Sequence, residues 1–307
     1  SGRVAFYGTE DRGAAYSLLR AIDDHVPGID VVGEFGGDIF STARATKEPA
    51  EVERIREVRR KTVAALDATV DFLRSHQVRD EMLVKHDSAP LTIGDAKRFV
   101  RRALFDHDLE EEGETIVAIG RDAGVPHSHG EDHDVIRLGQ PMIFDVFPRE
   151  RGGGYFFDMT RTFCLGYAPA EVQSVFEDVQ ACFDIVVAAL EAGAPVGNYH
   201  RMACEFFESC GHPTICSEPA TEEGFVHTLG HGIGLSVHER PSVHDMSDDV
   251  LEPGSVFTIE PGLYYPDRGF GVRLEDVYYL DTQGVFHNLT NYPKELVIDM
   301  PVSVLGN

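Results

Sequence analysis

The sequence predicts an α/β (α+β) fold, in which two similarly ordered halves meet and a short α/β segment precedes them. Three observations carry this expectation. A length of 307 residues suits one large domain plus a smaller piece. Two blocks of helical apolar periodicity, near 48–105 and 169–209, are each followed by strand-like runs. Each block of strands also holds a hairpin with two carboxylates, at 145 and 158 and again at 260 and 275. No sequence repeat is found; what recurs is the order of elements.

Residues 1–45 read as a remnant with Val4–Tyr7 as a strand, Asp11–Val26 as a helix and Ile29–Glu34 as a strand, too little to form a core alone. The remainder, 46–307, reads as the main domain. A long helix starts at Glu48, with Pro49 in its first turn and Val52, Ile55, Thr62, Leu66, Val70 and Leu73 on one stripe. Its opposite face is charged and includes a Glu57/Lys61 pair at helical spacing. A second helix is expected over Gly94–Phe105 and a strand over Glu114–Ile119. The second half repeats this order, with helices over Pro169–Ala192 and Asn198–Ser209 and strands from Thr214 onward.

Composition narrows the function classes. With 27 basic against 52 acidic residues the net charge is -25, which opposes binding to nucleic acid or to an anionic membrane. No apolar run of membrane-spanning length exists, and Val4–Tyr7 is too short for the core of a signal peptide, so a cytoplasmic location is expected. Cys164, Cys182, Cys204, Cys210 and Cys216 form an odd set without zinc-ribbon spacing, which suits reduced thiols; a Cys210–Cys216 bridge is the disfavoured alternative.

The two hairpins carry the chemistry. Met142–Phe147 runs into Arg151-Gly152-Gly153-Gly154 and returns through Tyr155–Thr162. Asp145 and Asp158 are an odd number of residues apart, so a turn centred at Arg151-Gly152 places them directly opposite each other, roughly 5 Å apart. Two carboxylates so close need a positive charge between them, and a divalent metal supplies it. An exposed polar hairpin face explains the first pair alone equally well. The same geometry returns in Ser255–Glu260, a turn at Asp267-Arg268-Gly269, and Gly271–Asp276, where Glu260 and Glu275 face each other. Two acidic hairpins on one plan make coincidence the weaker account. Arg273 shares a face with Glu275 and serves either to neutralise it or to reach a substrate, the structural role being favoured.

Between the hairpins, His227, His231 and His238 recur at intervals of four and seven among glycines that suit a backbone packed closely against a site. Any one of them alone would more often be an ordinary core or surface residue; the two acidic pairs change that weighting. One imidazole with four carboxylates is a hard donor set that favours Mn(II), accommodates Co(II) or Zn(II), and argues against a thiolate site. Two metals are implied.

These residues resemble the pita-bread metallopeptidases, the group of methionine aminopeptidase, aminopeptidase P and prolidase. The resemblance rests on Asp158–Thr162, His231–Gly234 with His238-Glu239, Ile259–Gly262 and Arg273–Asp276 in family order, over 45–298. It implies a duplicated fold around a dinuclear centre held by Asp145, Asp158, His231, Glu260 and Glu275, with a metal-bridging hydroxide as nucleophile. By the same resemblance Glu260 assists proton transfer, His238 and His227 steady substrate and intermediate, and His127 is a further site histidine, with His129 as its competitor. Arg240 is the candidate for gripping a substrate carboxylate. The short gap between Glu260 and Glu275 resembles the Xaa-Pro branch, which implies an exopeptidase cleaving short peptides before proline, as a dipeptidase or an aminopeptidase, and a homodimer. The N-terminal piece resembles the last third of that branch's extra domain. Alternatives are an aminopeptidase of other specificity on the same fold, a non-catalytic peptide-binding module, and a cysteine hydrolase using Cys210 or Cys216 with His212.

Overall fold

Apolar periodicity and turn chemistry produce two compact units, Ser1–Ala43 and Arg44–Asn307, in the computed structural model, which describes residues 2–8, 10–33 and 38–301. In the first unit β1 (Gly2–Val4) and β2 (Ile29–Val31) pair in parallel across α1 (Arg12–His25), which Asp11 caps by accepting from the Ala14 amide at 3.0 Å. The first strand lies earlier than the expected Val4–Tyr7, and the end of the second, Glu34, falls outside the described residues. α1 buries none of its residues, as expected for a piece without a core. The short α2 (Ile39–Arg44) has no apolar periodicity to announce it.

In the larger unit α3 (Pro49–Arg74) opens with a capping box between Glu48 and Glu51 and buries Val52, Ile55, Val58, Thr62, Ala65, Leu66, Thr69, Val70 and Leu73. A small hairpin, β3 (Gln77–Arg79) with β4 (Met82–Val84), leads to α4 (Ile93–Asp106), whose Thr92/Asp95 box fixes its start. Then come β5 (Leu109–Glu110), β6 (Ile116–Ile119), the single-turn α5 (Gly120–Ala123), β7 (Pro141–Val146), β8 (Arg149–Glu150) and β9 (Met159–Leu165). The second half contains α6 (Ala170–Ala188), α7 (Gly197–Ser209) and β10 (Gly230–Gly232) through β17 (Val297–Ile298). Thr214, expected to start a strand, makes only an isolated bridge to Phe225, because prolines at 213 and 219 break the ladder.

Two sheets organise the halves, in the orders β17-β9-β7-β6 and β11-β10-β12-β15-β16, where β11 is Glu239–Val243, β12 Val256–Ile259, β15 Asp276–Leu280 and β16 Phe286–Asn288. Along β7, Met142, Phe144 and Val146 join the core shared with α3 and α4, so Ile143 and Asp145 point the other way. Along β12 and β15, Phe257, Ile259, Tyr278 and Leu280 pack with α6 and α7. Each sheet thus has its own helices on one face and the opposite half on the other, and the acidic residues sit where the halves meet. No helix among the described residues is long and apolar enough to cross a membrane.

Candidate metal centre

The first hairpin turns where expected, but its ladder is centred one residue later. The Gly153 amide bonds the Glu150 carbonyl at 3.1 Å, which puts Arg151 and Gly152 at the centre of the turn as expected, and Gly153 and Gly154, at φ 95° and 150°, extend the loop before the Tyr155 carbonyl accepts from the Glu150 amide at 3.1 Å. Only the second central position of this turn has a positive φ, which suits Gly152 and leaves Arg151 in an ordinary conformation. The register accordingly pairs Asp145 with Thr160 and Val146 with Met159. Asp145 and Asp158 are therefore diagonal neighbours, not direct partners; moving the centre by one residue shifts the register by two and keeps both on one face.

The second hairpin follows its expected register. Ile259 pairs with Asp276 on one side and Gly262 with Arg273 on the other, so Glu260 and Glu275 stand opposite each other. Between these ladders the strands part: the Glu260 amide bonds the Leu229 carbonyl at 2.8 Å and the Glu275 amide the Thr160 carbonyl at 3.1 Å. That last bond stitches the hairpins together. Arg161, 1% exposed, strengthens the seam by donating to the carbonyls of Thr160 and Glu275 and pairing with Asp276 at 2.7 Å.

His231 stands between the hairpins on β10. A Cβ on Gly230 would strike the Thr258 carbonyl and one on Gly232 the Arg240 carbonyl, which is why glycines flank this histidine. Its Nδ1 donates to the Gly232 carbonyl at 3.1 Å, leaving Nε2 as the lone-pair nitrogen. From Nε2, Glu260 lies at 3.5 Å, Asp158 at 3.7 Å and Glu275 at 3.9 Å. Ligand atoms of Asp158, His231 and Glu275 all lie within 4.8 Å of one another.

The remaining polar contacts leave one oxygen free on each of three acids. Arg273 holds Asp145 Oδ2 at 2.6 Å and Thr160 donates to Glu275 Oε2 at 2.7 Å, while Asp145 Oδ1, Asp158 Oδ1 and Glu275 Oε1 are buried without a hydrogen-bond partner. Burial and then the mutual repulsion of the acids push Asp158 and Glu275 well above the usual carboxylate range, and burial lifts Glu260 to about 8. Burial also lowers His231 to about 3, so its imidazole is neutral. Buried carboxyl groups with unpartnered oxygens around a neutral imidazole suit a divalent cation, whose charge would favour their ionised form, and the donor set is oxygen-rich.

A cavity of about 180 Å³ opens on these groups, and Asp145, Asp158, His231, Glu260 and Glu275 all line it, as do His127, His129, His227, His238 and Arg273. Ile116, Pro126, Phe147 and Val237 form an apolar wall. His238 packs edge-on to His231 with ring centroids 4.3 Å apart. His227, lowered to about 3 by burial, uses Nδ1 toward the Thr228 carbonyl and Nε2 toward the Tyr264 hydroxyl at 3.0 Å.

Of the two arginines, Arg240 departs from its expected role and Arg273 takes the favoured structural one, beside Asp145 rather than Glu275. Arg240 does not line the cavity; its guanidinium pairs with Asp249 at the protein surface. Arg273 is buried beneath the acids and donates to Thr160 Oγ1, the Pro126 carbonyl, the Tyr264 hydroxyl and Asp145, which makes it a counter-ion more than a substrate clamp. The cysteine expectation also changes: Cys204 and Cys216 are joined as a disulfide, with Cα atoms 6.3 Å apart. Cys204 faces the loop at 214–217 from the buried side of α7, whereas Cys210 lies exposed beyond the helix end. His212, the partner named for a cysteine hydrolase, is engaged at Nδ1 by Tyr265 and at Nε2 by Asp178.

Sequence reasoning missed three supporting residues. Tyr264 links His227 to Arg273. Thr160 holds Glu275, and its place beside Asp158 within a hairpin of known facing was the available signal. The third, Lys47, forms a buried ion pair with Glu239 at 2.8 Å. Glu239 also accepts from the Ser236 amide at 3.0 Å, so the pair anchors the loop leading to His238. Nothing at the start of a charged helix marks such a lysine.

Comparison with known proteins agrees with this geometry. The model of metallopeptidase family M24 matches residues 53–282. The probable dipeptidase PepE of Mycobacterium bovis is 31% identical over 266 residues, covering 87% of this chain and 64% of that protein. The chain therefore spans just under two thirds of that relative's length. The Xaa-Pro dipeptidase of Lactobacillus delbrueckii subsp. lactis is 28% identical, with 96% of this chain and 73% of the relative covered. Among solved structures, the X-Pro aminopeptidase of Thermotoga maritima superposes with a TM-score of 0.74 at 27% identity, covering 92% of this chain and 72% of that one.

Proposed function

The chain belongs to metallopeptidase family M24, and from that premise we propose that it is a dinuclear exopeptidase hydrolysing the bond before proline in short peptides. The observation that carries this reading is the meeting of two carboxylate pairs and one neutral imidazole, with three buried carboxylate oxygens lacking protein partners. Asp145, Asp158, His231, Glu260 and Glu275 would hold two divalent cations, Mn(II) by preference, with Co(II) or Zn(II) as alternatives. Such cations polarise a carbonyl oxygen and lower the pKa of bound water.

The chain's own residues supply the rest. Glu260, the outermost of the acids around His231 and the one lifted to about 8 by burial, is suited to carry a proton from the nucleophile to the leaving amine. His127 and His238, both kept neutral by burial, line the cavity as donors toward a developing oxyanion. His227, whose Nδ1 donates to the Thr228 carbonyl, accepts at Nε2 from the Tyr264 hydroxyl and so would steady Tyr264 and Arg273 beside the substrate. The apolar wall of Ile116, Phe147 and Val237 suits a proline ring, which lacks an amide hydrogen and needs no acceptor. Relatives named as Xaa-Pro dipeptidases support this specificity.

The test is hydrolysis of Gly-Pro, Met-Pro, Xaa-Pro-Pro and Met-Ala-Ser by chelator-stripped protein, before and after Mn(II), Co(II) or Zn(II). Metal-restored cleavage confined to the proline peptides is expected. Cleavage of Met-Ala-Ser at an equal rate would replace the specificity, and stoichiometric metal without cleavage of any peptide would favour a binding module.

A further inference from the structure

A second constellation lies outside the hairpins. His200 Nδ1 and the sulfurs of Cys204 and Cys216 lie within 4.8 Å of one another. His200 and Cys204 are one turn apart on the buried side of α7, and Cys216 meets them from the following loop. The ring of His200 is fully buried, and its Nε2 lies 3.3 Å from the His227 carbonyl. A carbonyl only accepts, so Nε2 carries the proton and Nδ1 the lone pair. Nδ1 in turn lies 3.7 Å from Cys204 Sγ and 3.8 Å from Cys216 Sγ. In the disulfide neither sulfur has a proton to donate, so a buried acceptor faces two atoms that cannot satisfy it.

Reduction and a bound cation resolve that mismatch. We propose that His200, Cys204 and Cys216 form a thiolate metal site for a Zn(II)-class cation when the cysteine pair is reduced. A small dithiol reductant converts the disulfide into two thiols and is itself oxidised to a disulfide. The cation then binds both thiolates and Nδ1, and the two thiol protons pass to solvent. Two sulfurs and one imidazole are a tetrahedral set with one position left over, and the exposure of Cys216 gives that position to water. The Nε2–H bond to a backbone carbonyl fixes the tautomer, as is usual for metal-ligating histidines. Soft sulfur donors favour zinc over manganese, so this site and the oxygen-rich hairpin site select different metals. The proposal depends only on α7 and its loop, not on the reading of the hairpins.

Cobalt(II) is a suitable probe, because thiolate ligands give it a charge-transfer absorption that carboxylate and imidazole ligands do not. The full chain, reduced with dithiothreitol and freed of it without air, is titrated with Co(II) alone beside its Cys216→Ser and Cys210→Ser variants. The charge-transfer band is expected in the parent and in Cys210→Ser but not in Cys216→Ser, with the parent binding a single equivalent more than Cys216→Ser. Cys216 is exposed, so its serine variant keeps the core intact. A parent without the band, a band that survives in Cys216→Ser, or equal metal counts would overturn the site. Thiol titration showing that Cys204–Cys216 resists excess reductant would do the same and leave a structural cross-link only.

Discussion

The two acidic hairpins share a plan and differ in how their register is set. In the second, ladders on both sides of Glu260 and Glu275 keep one register, and the turn at Pro266–Arg268 closes with Gly269 at φ 75°. In the first, β8 pairs with β5, where Arg149 meets Glu110 at 2.8 Å, and the turn at Arg151-Gly152 is lengthened by Gly153 and Gly154. The second pair of acids is directly opposed and the first is diagonal. Their surroundings differ as well: Asp145 has a guanidinium beside it, while Glu275 has only a threonine hydroxyl. A centre built this way tolerates a two-residue shift in one hairpin because facing depends on parity, whereas the seam at Thr160 and Glu275 has no such freedom.

Removing an acid from either hairpin should have the largest effect. Asp158→Ala and Glu275→Ala are each expected to abolish metal uptake and peptide hydrolysis, read by metal analysis beside the proline-peptide assay. Asp145→Ala should be milder for metal but should also leave Arg273 buried without its partner. Full activity in Asp158→Ala or Glu275→Ala would remove the dinuclear reading.

Next in size is the seam itself. Arg161→Ala leaves Asp276 with Lys294 and Asn288 and strips a donor from the carbonyls of Thr160, Glu275, Tyr292 and Pro293, and loss of one partner of a buried pair costs about 3–5 kcal/mol. Urea denaturation measures it. A loss no larger than that of an exposed pair such as Arg60–Glu57 would show that the hairpins hold together without this clamp. Thr160→Val tests the same seam more gently. It removes the hydroxyl bound to Glu275 and Arg273, and loss of such a supporting group lowers metal affinity roughly 10–100-fold. Asp145 keeps its guanidinium contact in this variant, so the second hairpin should suffer more than the first.

The pH dependence of the metal-free protein follows from the raised acids. Glu260 titrates near 8 in the folded chain against an ordinary value of 4.5, so the folded state binds more protons between those limits. The stability that Glu260 contributes is present below 4.5 and is lost as pH rises through about 8, while His227 and His231, lowered from 6.5 to about 3, oppose it below 6.5, so the fall is read between 6.5 and 8. Chelator-treated protein should therefore melt higher at mildly acid pH than at alkaline pH, and added Mn(II) should reverse the trend, since the cation needs the ionised acids. An unchanged slope with and without metal would contradict the site.

Much of this was legible in the sequence, for identifiable reasons. α3 was readable because its apolar stripe is long and its cap is local, and the facing of Glu260 and Glu275 because parity survives small errors in placing a turn. The turn at Arg151-Gly152 was legible too, but the ladder beyond it is centred one residue later because Gly153 and Gly154 lengthen the returning side of the loop, which no side-chain pattern announces. Lys47 depends on a contact between segments 192 residues apart, and Arg240 and the Cys204–Cys216 link on loops that bring together residues 9 and 12 positions apart with no regular period. No local pattern encodes such pairings, and a charge or a thiol looks the same in sequence whether it faces a cavity, a partner or water.

The smallest expected effect asks whether the turn or the ladder sets the first register. Gly153 at φ 95° and Gly269 at φ 75° both have open space where a Cβ would stand, so alanine at either costs only the backbone strain of positive φ, about 1 kcal/mol. If the loop governed the first register, Gly153→Ala would disturb the stretch that follows the Arg151-Gly152 turn, shift Asp145 against Asp158 and weaken metal binding well beyond that cost. The six pairs from Pro141↔Cys164 to Val146↔Met159, with Met142, Phe144 and Val146 fixed in the core, argue the opposite. Slipping by one residue would expose that whole face, and slipping by two would break every pair. Gly153→Ala and Gly269→Ala should therefore lose similar stability in urea and leave metal affinity unchanged; a selective loss of affinity in Gly153→Ala would show that the glycine turn, and not the ladder, positions the first pair of acids.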